Sequence, residues 1–375
     1  MAALTLQQEL DALTADGELY NRHADGAVTC FACAHRCRIK PGRRGICQVR
    51  FNADGVLRVP WGYVGALQCD PTEKKPFFHL LPGSDTLTFG MLGCDLHCAN
   101  CQNWVNSQAL RDPASAAAGA RPEAVTPERL VALALRHQAQ VVGSSYNEPL
   151  ITSEWARAVF QQAGAAGLKC AYISNGNATP EVLEYLRPYL TAYKIDLKTM
   201  SDRNYRRLGA VLDNVLEGVR RVHALGLWLE VVTLIIPGFN DGSDELRDLA
   251  QFIATLSPDI PWHVTAFHPD YRMTDPPATS ARALLRAAEI GRAAGLRYVY
   301  PGNLPGQVGE HEHTVCPGCG ARLIERYGYV VLNYRLTAAG ACPECGTRIA
   351  GIWTDRPETV RLLGPGRPRR AAGVF

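Results

Sequence analysis

Apolar residues recur in short runs along the middle of the chain: Thr86–Met91, Gln140–Ser144, Lys169–Ser174, Ala192–Leu197, Trp228–Ile236, Trp262–Phe267 and Arg297–Tyr300. Runs of this length bounded by turn residues read as buried strands. Helical patterns fall between them. Leu212, Val215, Leu216, Val219, Val222 and Leu225 share one helix face, and Gly226 supplies the stop. Thr126 before Pro127 and Glu128 is an N-cap with proline at the first helical position. A further helix is predicted over Thr279–Ala294, ending at Gly295. Strand and helix alternate, which predicts a parallel sheet, because parallel neighbours need crossover connections. The expectation is an α/β fold, either doubly wound or curled into a full or partial barrel.

The flanks break the pattern. Residues 1–83 begin with a helical segment, then become rich in Cys, Gly and Arg, with short strand-like pieces at Val56–Val59 and Tyr63–Leu67. Residues 311–353 form a small Cys-rich unit, and the GPGRPRRAAGVF ending predicts a disordered tail over 354–375. The expected division is therefore 1–83, a Cys-rich metal-binding domain; 84–310, the α/β domain; 311–353, a ribbon; and the tail.

Composition narrows the class. With 47% hydrophobic and 20% charged residues, the 375-residue chain has the balance of a soluble enzyme. A net charge of +3 is too weak to announce nucleic acid or anionic lipid as a partner. No apolar run is long enough for a membrane span, and the first residues lack a basic leader, so a cytoplasmic location is expected. In that reducing compartment the 13 cysteines read as metal ligands rather than disulfides. Eleven are grouped: Cys30, Cys33, Cys37 and Cys47; Cys94, Cys98 and Cys101; Cys316, Cys319, Cys342 and Cys345. Cys69 and Cys170 stand alone and are expected to be ordinary core residues.

The stretch TLTFGMLGCDLHCANCQNW puts three thiols in a C-x3-C-x2-C loop directly after the first core strand. A structural zinc wants four protein ligands, which His97 or Cys69 would have to complete. An iron–sulfur cluster held by only three cysteines would leave one iron open to an outside ligand. In parallel α/β folds, sites form at the C-terminal ends of the strands.

This loop resembles the cluster motif of the radical S-adenosylmethionine (SAM) enzymes. The resemblance implies a [4Fe–4S] cluster on Cys94, Cys98 and Cys101, whose open iron SAM chelates. Reductive cleavage of SAM there would give a 5′-deoxyadenosyl radical that abstracts a substrate hydrogen. Ser145-Tyr146-Asn147-Glu148-Pro149 resembles the family's Gly-Gly-Glu-Pro segment, with Tyr146 and Asn147 in place of the glycines. Ser174-Asn175-Gly176 is similar to the Thr-Asn-Gly turn of glycyl-radical-enzyme activases, and Asp196-Leu197-Lys198 to their Asp-x-Lys. His263 falls where those activases have a SAM-contacting histidine. From the Gly-Gly-Glu-Pro likeness only Glu148 and the strand-end backbone carry over; the residues expected around SAM are Asn103, Asn147, Glu148, Ser174, Asn175, Asp196, Lys198 and His263.

A narrower resemblance spans nearly the whole chain. CFACAHRCRIKPGRRGICQVR, SYNEP, KIDLKTMSDRNYRRLGA, EVVTLIIPGFND, PWHVTAFHPDYRM and YVYPGN are similar, in order, to the radical SAM protein of the AmmeMemoRadiSam system. It implies a partial (β/α)6-type radical SAM barrel flanked by the two Cys-rich units. It also implies an external electron donor and, as partners, a Memo-like protein and a small third protein. Its fold relatives make a second activity possible, installation of a glycyl radical on a partner protein. The substrate stays open. His268 and Tyr271, with Asp270 and Arg272, are candidates to face it, as is the His311-Glu312-His313 run.

Two other cysteine sets remain. Cys316-Pro317-Gly318-Cys319-Gly320 and Cys342-Pro343-Glu344-Cys345-Gly346 are knuckles separated by 22 residues, and LIERYGYVVLNYRL between them reads as a hairpin around Gly328. That is the pattern of a zinc ribbon, with a rubredoxin-type iron as the alternative. Cys30, Cys33, Cys37 and Cys47 offer four thiolates to zinc or to a second iron–sulfur cluster, and the short Gly-rich loop leans toward zinc. A reading from another class, an iron–sulfur or zinc nucleic-acid-binding module, draws on the ribbon and the arginine excess. No basic stripe with interleaved aromatics supports it.

Overall fold

The computed structural model describes residues 4–363. Its centre is an eight-stranded sheet: β1 (Ala66–Pro71), β2 (Asp85–Gly90), β3 (Val141–Ser144), β4 (Lys169–Ser174), β5 (Ala192–Asp196), β6 (Trp228–Ile235), β7 (Trp262–Ala266) and β8 (Val299–Gly302). From β2 onward each strand lies parallel beside the next in sequence, and β1 closes the other edge antiparallel to β2. Every predicted strand is present. The strand order never reverses, so the sheet is wound in one direction and not doubly wound.

The crossovers carry helices α1 (Pro127–Arg136), α2 (Ser153–Ala165), α3 (Pro180–Leu186), α4 (Leu212–Ala224), α5 (Ser243–Leu256) and α6 (Ala281–Ala293). Right-handed crossovers in a one-way sheet put all the helices on one face. Strand alternation then sorts the side chains. Tyr193, Ile195, Val231, Trp262, Val264 and Val299 join the core with the helices. Lys194, Asp196, Val232, Leu234, His263, Thr265 and Tyr300 face a cavity on the other side. Cys69 and Cys170 are buried in the core, as expected.

Residues 1–83 are not separable at the expected boundary. Ala66–Pro71 pairs along its whole length with β2, and Leu10, Val28, Ile39 and Leu57 share one hydrophobic cluster with Leu87 and Trp155. A buried bidentate pair ties the two parts together: Arg50 Nη1 and Nη2 each donate to the Glu154 carboxylate on α2 at 2.7 Å. A short antiparallel edge strand carries no local sign of its partner, which is why the sequence placed it with the flank.

At the other end, β9 (Thr314–Val315), β10 (Arg322–Tyr327) and β11 (Val330–Tyr334) form the expected antiparallel unit, with Gly328 in the turn at φ +58°. Its apolar face packs Leu323, Ile324 and Val331 against Phe78, Tyr298 and Tyr300. The expected tail begins too early. Arg361 Nη1 bonds Asp85 Oδ2 at 3.1 Å and Leu363 N donates to Val331 O at 3.1 Å, so residues 354–363 are tied to the fold. The rest of the predicted tail, 364–375, lies outside the described residues. Among the described residues no helix is long and apolar enough to cross a membrane.

Candidate active site

The C-terminal ends of the strands open into a cavity of about 490 Å³. Cys94, Cys98 and Cys101 line it, on the loop that leaves β2. Gly90, the last residue of β2, lets that loop form. A Cβ there would lie 2.4 Å from the Ser145 carbonyl oxygen, so only glycine permits the close approach of the two strand ends. Leu96 N donates to Cys94 Sγ at 3.4 Å, and Ser107 Oγ lies 3.2 Å from Cys101 Sγ.

Burial pushes all three thiols up, Cys98 to about 11. The three are half-buried, and thiols whose proton is held this tightly become thiolates when a metal takes its place. The donor set therefore fits a metal group, and its spacing says which kind. Sulfurs sharing one tetrahedral zinc lie about 3.8 Å apart, given Zn–S bonds of about 2.3 Å. Among the described residues, the group whose ligand atoms all fall within 4.8 Å of one another is Cys316, Cys319, Cys342 and Cys345. The loop cysteines are spread more widely, as a multi-iron group requires. Neither residue expected to complete a zinc site joins them. His97 packs against Gly209, and Cys69 sits on β1 away from the cavity lining.

Behind the loop lies a buried acidic pair. Glu148 Oε1 accepts from Ser174 Oγ at 2.7 Å and Leu150 N at 3.1 Å, and Oε2 accepts from Asn175 N at 2.6 Å. Asp95, inside the cysteine loop, accepts from Asn175 Nδ2 at 2.8 Å and Asn177 Nδ2 at 2.9 Å. All of these donors are neutral. Burial, reinforced by the Asp95 charge, pushes the Glu148 carboxyl up to about 8. Asn177 Oδ1 is buried and accepts nothing. The arrangement is one that a cationic ligand with N–H donors would complete.

Asp196 and Lys198 do come together at the end of β5, 3.5 Å apart, with Lys194 as a second cation on Asp196. Burial works against the charged carboxylate, but the two lysines hold Asp196 below its ordinary range. Asn103 lines the cavity, as do Ser174 and Asn175. Asn147 is there too, but its carboxamide is spent on Met91 N at 3.1 Å and Glu148 O at 3.3 Å, so it joins two loops. His263 reaches the cavity wall with its Nε2 2.6 Å from Glu230 Oε2, pointing toward the floor rather than to the acidic pair.

The candidate substrate residues are not brought to the cavity. His268 is exposed, with Gln102 Nε2 at 2.9 Å from its Nε2. Tyr271 donates its hydroxyl to Asp112 at 2.6 Å and stacks on Trp104 at 5.1 Å. Together with Arg272 N donating to Ala99 O at 2.9 Å, this latches the 268–273 loop onto the cysteine loop. His313 lies with the C-terminal unit, where its Nδ1 accepts from Arg326 N at 3.1 Å, and the His311–His313 run is absent from the lining.

The sequence reading missed Lys74 and Lys75. Both reach the cavity from the β1–β2 connection; Lys75 is buried and bonds Asp70 Oδ2 at 2.8 Å and Tyr146 OH at 3.3 Å. A signal was available. Of the six lysines in the chain, Lys74, Lys75, Lys194 and Lys198 line this cavity, and no arginine among the described residues does. A chain that uses arginine nearly everywhere keeps the compact, deprotonatable amine here.

The family model described as "Radical SAM superfamily" matches residues 89–253. The uncharacterized protein MJ0808 of Methanocaldococcus jannaschii is 36% identical over 334 residues, covering 88% of this chain and 97% of that protein. The isethionate sulfite-lyase activating enzyme of Oleidesulfovibrio alaskensis is 27% identical over 125 residues, 32% of this chain and 40% of that enzyme. Among solved structures, a domain of pyruvate-formate lyase-activating enzyme from Bacteroides vulgatus aligns with TM-score 0.39 and 21% identity, over 43% of this chain and 98% of that domain.

Proposed function

The chain belongs to the radical SAM superfamily, and from that premise we propose that it is an enzyme cleaving SAM reductively at a [4Fe–4S] cluster held by Cys94, Cys98 and Cys101. Such a cluster supplies the electron that splits SAM to methionine and a 5′-deoxyadenosyl radical, which then takes a hydrogen from the substrate. One observation carries the reading: three half-buried thiols line the same cavity as Glu148, whose carboxyl lies beside Asp95 and meets no cation among the described residues.

The chain's own residues do the binding and placing. Glu148 receives the SAM ammonium, and its proton leaves as that cation arrives. Asn175 and Asn177 hold Asp95 and shape the acidic wall. Asp196 and Lys198 present one acceptor and one donor at the next strand end. Ser174 and Asn103 line the path. His263 acts on SAM only through Tyr300 and Glu230, as a positioning residue. The Lys75 end of the cavity, beyond these groups, receives the substrate.

We further place the protein with the radical SAM enzymes of the AmmeMemoRadiSam system, working in the cytoplasm with an external electron donor, a Memo-like protein and a third partner. The four close sulfurs of the C-terminal unit support a structural zinc. Installation of a glycyl radical on a partner protein is the second reading, supported by the match to the isethionate sulfite-lyase activating enzyme.

The test is anaerobic. Protein reconstituted with iron and sulfide is reduced with SAM, and 5′-deoxyadenosine is measured. Formation in the wild type and its loss in Cys94→Ala/Cys98→Ala/Cys101→Ala is expected. No 5′-deoxyadenosine from an iron-loaded wild type, or full activity in the triple variant, overturns the reading.

A further inference from the structure

The two four-cysteine sets differ in a way that ligand counting does not show. Cys316, Cys319, Cys342 and Cys345 close to single-ion spacing, with Cys316 Sγ 3.5 Å from Cys345 Sγ and Cys319 Sγ 3.7 Å from Cys342 Sγ. The N-terminal set does not; no three of its sulfurs fall within 4.8 Å of one another among the described residues. Yet its side chains converge. Cys30, Cys33 and Cys47 are buried, and Cys30 lies within electrostatic reach of Cys33, Cys37 and Cys47. Ile46 N donates to Cys37 Sγ at 3.4 Å. Among the described residues neither this set nor the Cys94, Cys98 and Cys101 loop gathers three sulfurs within 4.8 Å, as the C-terminal unit does.

Charge does not separate the candidate metals. Four thiolates around zinc, or around an oxidised four-iron cluster, carry the same net charge, so size decides. The set is also joined to the cysteine loop of the cavity. His35 Nε2 lies 3.2 Å from Asp95 O. The Cys47 carbonyl oxygen sits 3.1 Å from where a Cβ on Gly93 would be, one residue before Cys94. Arg111 bonds both the Leu96 and Ile46 carbonyls, bridging the two loops.

We propose that Cys30, Cys33, Cys37 and Cys47 hold a second [4Fe–4S] cluster, and that it passes electrons to the group held by Cys94, Cys98 and Cys101. One electron from a low-potential iron–sulfur or flavin protein reduces this cluster. The same electron leaves to the cavity group, which returns the second cluster to its starting state, and no proton or bond changes in either step. The cluster's identity stands apart from the SAM chemistry, whereas its electron-passing role rests on that reading.

Metal analysis of the full chain decides the identity. After anaerobic reconstitution the wild type should hold about eight irons, and Cys94→Ala/Cys98→Ala/Cys101→Ala should keep about four, with the electron paramagnetic resonance of a reduced [4Fe–4S] centre. A triple variant without iron overturns the second cluster, whether or not it carries a second zinc; if the wild type then still forms 5′-deoxyadenosine, the SAM reading survives. Cys37→Ser changes the half-buried ligand and should lower iron from about eight to about four. It should also slow 5′-deoxyadenosine formation with a flavodoxin-class donor while sparing it with dithionite. Equal losses with both reductants, in a folded variant, overturn the electron-passing role.

Discussion

Two buried polar webs stand at opposite ends of the same sheet, and each is built around a glutamate. At the mouth, Glu148 meets only neutral donors and a second acid, Asp95, and its carboxyl is pushed up. At the floor, Glu230 accepts from His263 Nε2 at 2.6 Å, Phe78 N at 3.0 Å, His79 N at 2.9 Å and Trp228 Nε1 at 3.0 Å. There burial alone would raise the carboxyl, but His263 and the other donors hold it below its ordinary range. The web continues through His79 Nε2 and Tyr300 OH at 2.7 Å to Thr314, Arg326 and the C-terminal unit. Both glutamates are fully buried and both accept several hydrogen bonds. At the floor Glu230 finds all its donors within the chain, and the web fastens three parts of the fold together. At the mouth the lysines pair with Asp196 and Asp70, and among the described residues no cation bonds Glu148 or Asp95, so a ligand has to bring one to them. Burial of an acid is thus not itself the mark of function; the missing counter-charge is.

The largest expected effect tests the floor. Glu230→Ala strips four donors of their acceptor, so chemical denaturation should show a loss of about 3–5 kcal/mol. A loss under about 1 kcal/mol would mean that the web does not hold the parts together. At the mouth the same class of change should behave differently. Glu148→Gln should leave the ligand-free protein as stable as the wild type, or more so. It should weaken SAM binding by about 1.5–3 kcal/mol, roughly tenfold to a hundredfold in dissociation constant. An unchanged constant by calorimetry counts against Glu148 as the ammonium partner.

The pH dependence sharpens the contrast further. Glu148 has its folded pKa raised from 4.5 to about 8. Its contribution to ligand-free stability is present below about pH 4.5 and is lost as pH rises toward 8, because the folded state keeps a proton that the unfolded state releases. Glu230 runs the other way: lowered in the fold, it contributes above its unfolded value and fades as pH falls through the folded one. Melting curves across pH 5–8, taken for wild type and Glu148→Gln, should therefore diverge, with the wild type losing ground as pH rises. SAM binding near pH 7 should also release a proton, seen as a buffer-dependent enthalpy that disappears in Glu148→Gln. Parallel melting curves would remove Glu148 as the titrating group.

The smallest effect concerns the latch. Tyr271→Phe removes one hydrogen bond to Asp112, worth about 0.5–1.5 kcal/mol locally. Hydrogen exchange of the 268–273 loop should rise while SAM affinity stays within a factor of about three. A large loss of SAM binding would restore Tyr271 to the site.

The chain's apolar rhythm made nearly the whole parallel sheet legible, because each strand is buried on both faces and its run is local. Only β1 escaped assignment to the sheet. The three cysteine groups were legible from their spacing, and the structure brings the sulfurs of one of them, Cys316, Cys319, Cys342 and Cys345, within 4.8 Å of one another. Glu148, Asn175 and Asp196 were legible by resemblance and by their places at strand ends. Lys75 was not, because it arrives from a connection whose sequence has no periodicity, although the scarcity of lysine elsewhere was a usable clue. His263 was placed on the right strand and the right face, but its partner Glu230 lies 33 residues away.

The sequence by itself determined which segments become strands and helices, where the three thiol groups lie, and which strand ends carry polar residues. The tertiary structure alone decided which buried acid, Glu230, is held below its ordinary range by its donors and which, Glu148, is pushed up beside a second acid. It also separated the two four-cysteine sets, one close enough for a single ion and one spread more widely. Element identity follows from local period and burial, which are written in neighbouring residues. Charge balance and sulfur spacing depend on side chains brought together from distant strands and loops, and those approaches are fixed only when the core packs.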